Sequence, residues 1–73
     1  MKTIERPLDF LNEKRNNPVI VKLNSGFEVS GVLLAFDIHI NLVIDNASIV
    51  DNSGKVKKVG RQFIRGDSIN FVY

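Results

Sequence analysis

Three polar side chains, Asp37, His39 and Asn41, stand at every second position within the apolar run FDIHINLVI (Phe36–Ile44). A second polar cluster, Arg65-Gly66-Asp67, lies 25 residues downstream of the first. On a strand the first three would share a face. If the segment instead turns back on itself, they crown a tight loop. Either way a carboxylate, an imidazole and a carboxamide converge where no Gly or Pro accounts for a break. Asn41 carries an acceptor and donors on one amide, which match the N3–H donor and O4 acceptor of uracil. Cytosine presents the opposite pattern, so an amide held in one orientation prefers uracil and a freely flipping one does not discriminate. Asp37 is the candidate for locking it. His39 and Arg65 are both planar, and a base stacked on such groups gains roughly 1–3 kcal/mol. Asp67 is placed to orient the Arg65 guanidinium or to accept a further contact.

Each feature also has a plainer reading. A lone histidine in a loop is commonly a surface residue. Arg-Gly-Asp between strands is commonly turn chemistry with a local ion pair, and an asparagine opening a strand often bonds its own backbone. Catalysis finds no support. One histidine and no cysteine exclude a His/Cys metal cluster, and no Gly-rich loop carries a lysine. The chain reads as a non-enzyme with no cofactor and no metal.

The elements that must position these residues follow from periodicity. Pro7 to Arg15 reads as a short helix. Proline suits its first position, Asp9 sits toward the positive end of its dipole, and Lys14 and Arg15 toward the negative end. Ile4, Leu8 and Leu11 form its apolar stripe, and Asn16-Asn17-Pro18 stops it. From Val19 onward the pattern is β: Val19–Leu23, a turn at Asn24-Ser25-Gly26, then Phe27 onward with Val29, Gly31 and Leu33 alternating against polar neighbours. The next large apolar residue is Phe36, so the parity slips by one and a bulge is expected, with Gly31 giving the strand room to coil. Asn41–Val50 is a third strand with Leu42 and Ile44 inward, Asp51–Gly54 a turn, Val56–Ile64 a fourth strand and Ser68–Tyr73 a fifth. Gly66, in the link between the last two, supplies the residue type that best accepts a positive φ. The expectation is one helix capping five strands in meander order, strongly bent into a partly closed antiparallel barrel.

At 73 residues without cysteine, the chain is read as one domain (residues 1–73), near the lower limit for a stable core. Such a chain buries only about 60% of its unfolded surface, and oligomerisation is a natural remedy. No run approaches the ~20 apolar residues of a membrane span, and MKTIERPLDF lacks a signal-peptide core, so a soluble cytoplasmic location is expected. The net charge of +2 is divided unevenly. Residues 23–54 hold Glu28, Asp37, Asp45 and Asp51 with no Lys or Arg, whereas residues 55–73 hold five basic side chains against Asp67. An acidic hairpin pairing with a basic one explains this; basic ends collected against phosphate would explain it too.

The segment Pro18–Ala47, PVIVKLNSGFEVSGVLLAFDIHINLVIDNA, resembles the first motif of the Sm and Sm-like (LSm) proteins at Gly26, Gly31, Leu33, Phe36-Asp37, Asn41, Leu42 and Ile44. Val59–Tyr73, VGRQFIRGDSINFVY, is similar to the second motif through Ile64-Arg65-Gly66. The IHIN form looks most like archaeal members. The resemblance implies an Sm-like fold whose subunits pair the fourth strand of one copy with the fifth of the next, giving a homo-oligomeric ring, usually heptameric. Phe63, Phe71 and Val72 are then the expected contact residues. It also implies single-stranded uridine-rich RNA as partner, in RNA processing or metabolism. His39 and Arg65 would sandwich the base, Asn41 would read it with Asp67 assisting, Asp37 would orient Asn41, and Gly66 belongs to the same signature. Other Sm-like chains or RNA-processing proteins are further candidate partners, and Lys2, Lys14 and Arg15 a second RNA surface. The competing expectation is a ring scaffold whose RNA binding is incidental. An Hfq-type assignment is disfavoured because the Tyr-Lys-His run is absent. Asn70 departs from the apolar residue usual at its position, and with the chain ending at Tyr73 no tail adds RNA contacts.

Overall fold

A computed structural model describes residues 7–73. Helix α1 (Pro7–Lys14) is followed by strands β1 (Pro18–Leu23), β2 (Glu28–Phe36), β3 (Leu42–Val50), β4 (Val56–Ile64) and β5 (Ile69–Val72), with a single 3₁₀ turn at Gly66–Ser68 before β5. Ile4 and Lys2, assigned above to the helix stripe and to a basic surface, lie outside the described residues. Within α1, Leu11 is buried while Leu8 and Phe10 pack half-buried against the core. The helix stops where Asn16 takes a φ of 66°, a left-handed conformation asparagine tolerates well. Asn16 N–H then donates to Leu33 O at 2.6 Å, and Leu33 N–H to Asn17 O at 3.1 Å, which fastens the helix end to β2.

The strand order is β4-β3-β2-β1-β5. The expected meander therefore holds through β4 and fails at β5, which returns to pair antiparallel with β1 through Val21–Val72 and Lys22–Phe71. The physical reason is curvature. Register shifts in β2–β3 fall between Ser30 and Val32 and between Leu33 and Ala35, the latter where the parity slip appears in the sequence. Two more fall in β3–β4 around Ala47. These bulges coil the sheet until the chain leaving β4 arrives beside β1. Gly31 is needed there because a Cβ would stand 2.5 Å from Asp45 O and 2.6 Å from Ile44 Cγ2.

The core is a single cluster in which Val21, Val29, Leu33, Leu42 and Ile44 are wholly enclosed. Each such side chain contributes about 1.5–3 kcal/mol on burial. The acidic and basic hairpins do meet, through Arg61 Nε and Asp45 Oδ1 at 3.4 Å, an exposed pair of small stabilising effect. Because β5 pairs with β1, both β4 and β5 are edge strands. Their large apolar side chains are exposed: Phe63 (65%), Val56 (67%) and Phe71 (49%), the last stacked on Tyr73 with ring centroids 5.4 Å apart. Val72 differs, being half-buried against the core. Asn70 is exposed, so this polar residue leaves the core intact. Among the described residues no helix is long and apolar enough to cross a membrane.

Candidate functional site

The loop between β2 and β3 is built around one carboxylate. Asp37 Oδ1 accepts the backbone N–H of His39 at 2.9 Å and of Asn41 at 3.1 Å, and Asp37 Oδ2 accepts Asn41 Nδ2 at 3.0 Å. Ile40 N–H donates to Asp37 O at 3.0 Å and Asp37 N–H to Asn41 O at 3.2 Å, closing the turn. The left-handed position of the turn, where glycine would be favoured, falls on Ile40, at φ 63°. A β-branched residue there is strained, a state that persists only when surrounding contacts fix it; the core-facing side chain of Ile40 supplies one such contact. The hydrogen bond from the Asn41 side chain, helped by the two backbone N–H groups, holds the Asp37 carboxyl below its ordinary value of 3.8. The carboxylate therefore stays ionised and acceptor-only at neutral pH.

The second cluster docks directly on this loop. Gly66 N–H donates to Asn41 Oδ1 at 2.8 Å. A Cβ on Gly66 would collide with His39 O and stand 3.1 Å from Ile40 C. This revises the expected role of that glycine. Its φ is not positive; Gly26, Gly54 and Gly60 are the positive-φ glycines. Gly66 is required instead for close backbone approach. Arg65 Nη2 lies 3.1 Å from Asp67 Oδ2, both side chains exposed. Ser68 N–H and Oγ both bond Arg65 O, at 3.0 and 2.7 Å.

Asp37, Asn41 and Gly66 are thus joined by direct hydrogen bonds, and Arg65 with Asp67 by an ion pair. His39 joins through its backbone, its exposed imidazole making no hydrogen bond among the described residues. It lines a hollow of about 410 Å³ with Phe10, Ile40, Gly66 and Phe71. Arg65 and Asp67 line a different hollow of about 460 Å³ with Leu23, Phe63 and Ser68. Lys14 is drawn toward its own helix, its ammonium 5.6 Å from the Phe10 ring centre. Sequence reasoning missed Asn24, whose N–H donates to Ser68 O at 2.8 Å and whose Nδ2 donates to Asp67 O at 3.1 Å. It reads locally as an ordinary turn residue, and only the return of β5 to β1 gives it partners 43 and 44 residues away.

The chemical outcome concerns the Asn41 amide. Flipping it would set the NH₂ against Gly66 N–H and the oxygen against the Asp37 carboxylate, so its orientation is fixed. Among the described residues, one N–H and one oxygen lone pair of this amide edge have no partner. That edge complements a donor–acceptor pair such as the N3–H and O4 of uracil, and it opposes the reversed edge of cytosine.

A family model described as the LSM domain matches residues 9–73. An Sm-like protein of Archaeoglobus fulgidus is 49% identical over 67 residues, covering 92% of this chain and 87% of the relative. Among solved structures, the Pyrococcus abyssi Sm protein in complex with a uridine heptamer superposes with a TM-score of 0.86 at 38% identity, over 93% of this chain and 96% of that one. A heptameric archaeal Sm protein superposes with a TM-score of 0.81 at 33% identity, over 88% and 93%.

Proposed function

The chain belongs to the LSM-domain family, and on that premise we propose that it closes into a homo-oligomeric ring binding single-stranded uridine-rich RNA, one base per subunit, in RNA processing or metabolism. The observation that carries this reading is the Asn41 amide, clamped between Gly66 N–H and the Asp37 carboxylate. The clamp docks the two loops on each other, and it also presents the remaining donor and acceptor of the amide in one orientation, as reading a base edge requires. In the proposed complex Asn41 pairs with the uracil edge, His39 and Arg65 pack against the base, and Asp67 steadies the guanidinium. Asp37 acts through Asn41 and is a positioning residue.

Ring closure is supported by the two unpaired edges. β4 and β5 each carry open backbone hydrogen-bonding groups and exposed aromatic residues, the arrangement that recruits another strand. Pairing β4 of one copy with β5 of the next buries Phe63 and Phe71 at every junction. Seven subunits is the size we assign, from the heptameric structural neighbour. A single pocket is weak; a ring offers identical pockets to successive nucleotides at high effective concentration.

Native mass spectrometry of the intact protein with and without oligo(U) tests the reading directly. A ring mass that gains one oligonucleotide, with oligo(C) failing to compete, is the expected result. A ring that takes oligo(U) and oligo(C) equally would overturn base reading and favour a scaffold.

A further inference from the structure

A third hollow, of about 480 Å³, opens between Phe27 and the β3–β4 hairpin. Phe27, Ile49, Val56 and Val59 give it an apolar lining, to which Lys55 and Lys57 add two basic side chains. The remaining lining group, Asp51, is a carboxylate whose Oδ1 is engaged by its own turn, accepting Ser53 N–H, Ser53 Oγ–H and Lys55 N–H within 2.6–3.0 Å. Neither Lys55 nor Lys57 has a carboxylate partner among the described residues. An aromatic ring in an apolar lining that also holds unpaired ammonium groups suits a planar base attached to a phosphate.

We propose that this hollow is a second nucleotide subsite for the same RNA strand, with a base against Phe27 and its phosphate at Lys55 and Lys57. The inference rests on the RNA-binding reading above. Continuity supports the occupant. The hollow holding Arg65 and Asp67 shares Ile49 with this one. Asn24, bonded to Asp67 and Ser68, is three residues from Phe27, no more than about 11 Å of chain. A strand leaving the Arg65–Asp67 side of the pocket therefore meets this hollow next. The proposed ring closure cannot cover all of β4. β5 offers four residues to the nine of β4, so most of β4 stays without a strand partner, and pairing that covers Phe63, the contact assigned above, falls at the end away from Val56. The lining lacks any counterpart of the Asn41 clamp, so this subsite accepts any base.

The test uses the assembled protein, titrated with a uridine heptamer and with the same heptamer extended by roughly 4–16 cytidines. The extended strand is expected to bind about tenfold tighter. The Lys55→Ala/Lys57→Ala double variant should lose that gain while keeping heptamer affinity. Phe27→Ala should reduce it and Phe27→Tyr retain it. Lysine acetylation read by mass spectrometry should show Lys55 and Lys57 protected by the extended strand and not by the heptamer. An extension that adds no affinity, or a gain that survives the lysine changes, overturns the proposal. Equal protection by an oligoglutamate peptide overturns it in favour of an acidic protein partner. Failure of heptamer binding with lysine protection intact removes the uridine pocket and leaves this subsite standing.

Discussion

Gly66 N–H and Asn41 Oδ1 meet at 2.8 Å across 25 residues of sequence. One bond joins the β2–β3 loop to the β4–β5 link and decides which end of the Asn41 amide faces Gly66. The Asp37 carboxylate fixes the other end at 3.0 Å. In the proposed RNA complex, base reading and loop docking therefore share one network, and perturbing either should disturb the other.

Asn41→Ala removes the proposed reading group and leaves a half-buried Gly66 N–H without its acceptor. Affinity for oligo(U) should fall and the uridine-over-cytidine preference should approach unity. The unmade hydrogen bond should cost roughly 1 kcal/mol of stability, too little to dissolve a ring held at its strand edges. Paired titrations with oligo(U) and oligo(C), alongside the native mass, check this. An unchanged preference would remove Asn41 from the reading role.

Asp37 sets a pH window. Its carboxyl is lowered from 3.8, first by the Asn41 side-chain hydrogen bond and then by the backbone N–H groups of Asn41 and His39. A carboxylate with a folded value below its unfolded one stabilises the fold above the unfolded value, and that contribution disappears as pH falls through the folded value. The loop should hence be unaffected by this group from neutral pH down to about 5 and loosen only below 3.8. A carbon-detected titration of the Asp37 carboxyl should give a midpoint under 3.8, shifting upward in Asn41→Ala. In Asp37→Asn the clamp loses its charged acceptor, and cytidine should gain on uridine at neutral pH.

Two glycines should fail for different reasons. At Gly66 an added Cβ meets the His39–Ile40 backbone, which cannot retreat without moving Asn41. Gly66→Ala should cost about 1–3 kcal/mol through overpacking and abolish uridine binding. Gly60, at φ 75°, has nothing within 4 Å of a Cβ, so Gly60→Ala should cost about 1–2 kcal/mol through conformation alone and leave binding intact. Thermal melts with oligo(U) titrations separate the two. Equal loss of binding in both variants would count against the close-approach role of Gly66.

What the sequence made legible was whatever depends on neighbours. The helix from Pro7, the turn at Asn24–Gly26 and the bulge after Leu33 all follow from periodicity and local backbone preference. The polar triplet at Asp37, His39 and Asn41 likewise announced itself by interrupting an apolar run. The pairing of β5 with β1 was not legible locally, because it depends on how far the bulges coil the sheet. The use of Gly66 followed from that same hidden quantity: a glycine in a short link suggests a positive φ, and only the docked loop shows that space is the requirement. Asn24 is the same case again, an ordinary turn residue until the returning strand brings Asp67 and Ser68 beside it.

Phe63 tests assembly apart from recognition. It sits on the outer edge of β4 opposite Val43, 65% exposed, so Phe63→Ser should change the stability of the isolated subunit by no more than about 0.5 kcal/mol. In the proposed ring the same side chain would be buried, where a phenylalanine contributes about 1.5–3 kcal/mol, and it would recur at every junction. The variant should therefore dissociate at concentrations where the unmodified protein holds a ring mass, and its melting temperature should lose the concentration dependence that assembly imposes. Ile38→Ser is the matched control. Ile38 is 76% exposed, yet it lies at the tip of the β2–β3 loop rather than on an edge strand, so its loss should leave the ring mass unchanged. Dissociation by Ile38→Ser together with an intact Phe63→Ser ring would move the subunit interface from the β4 edge to the loop.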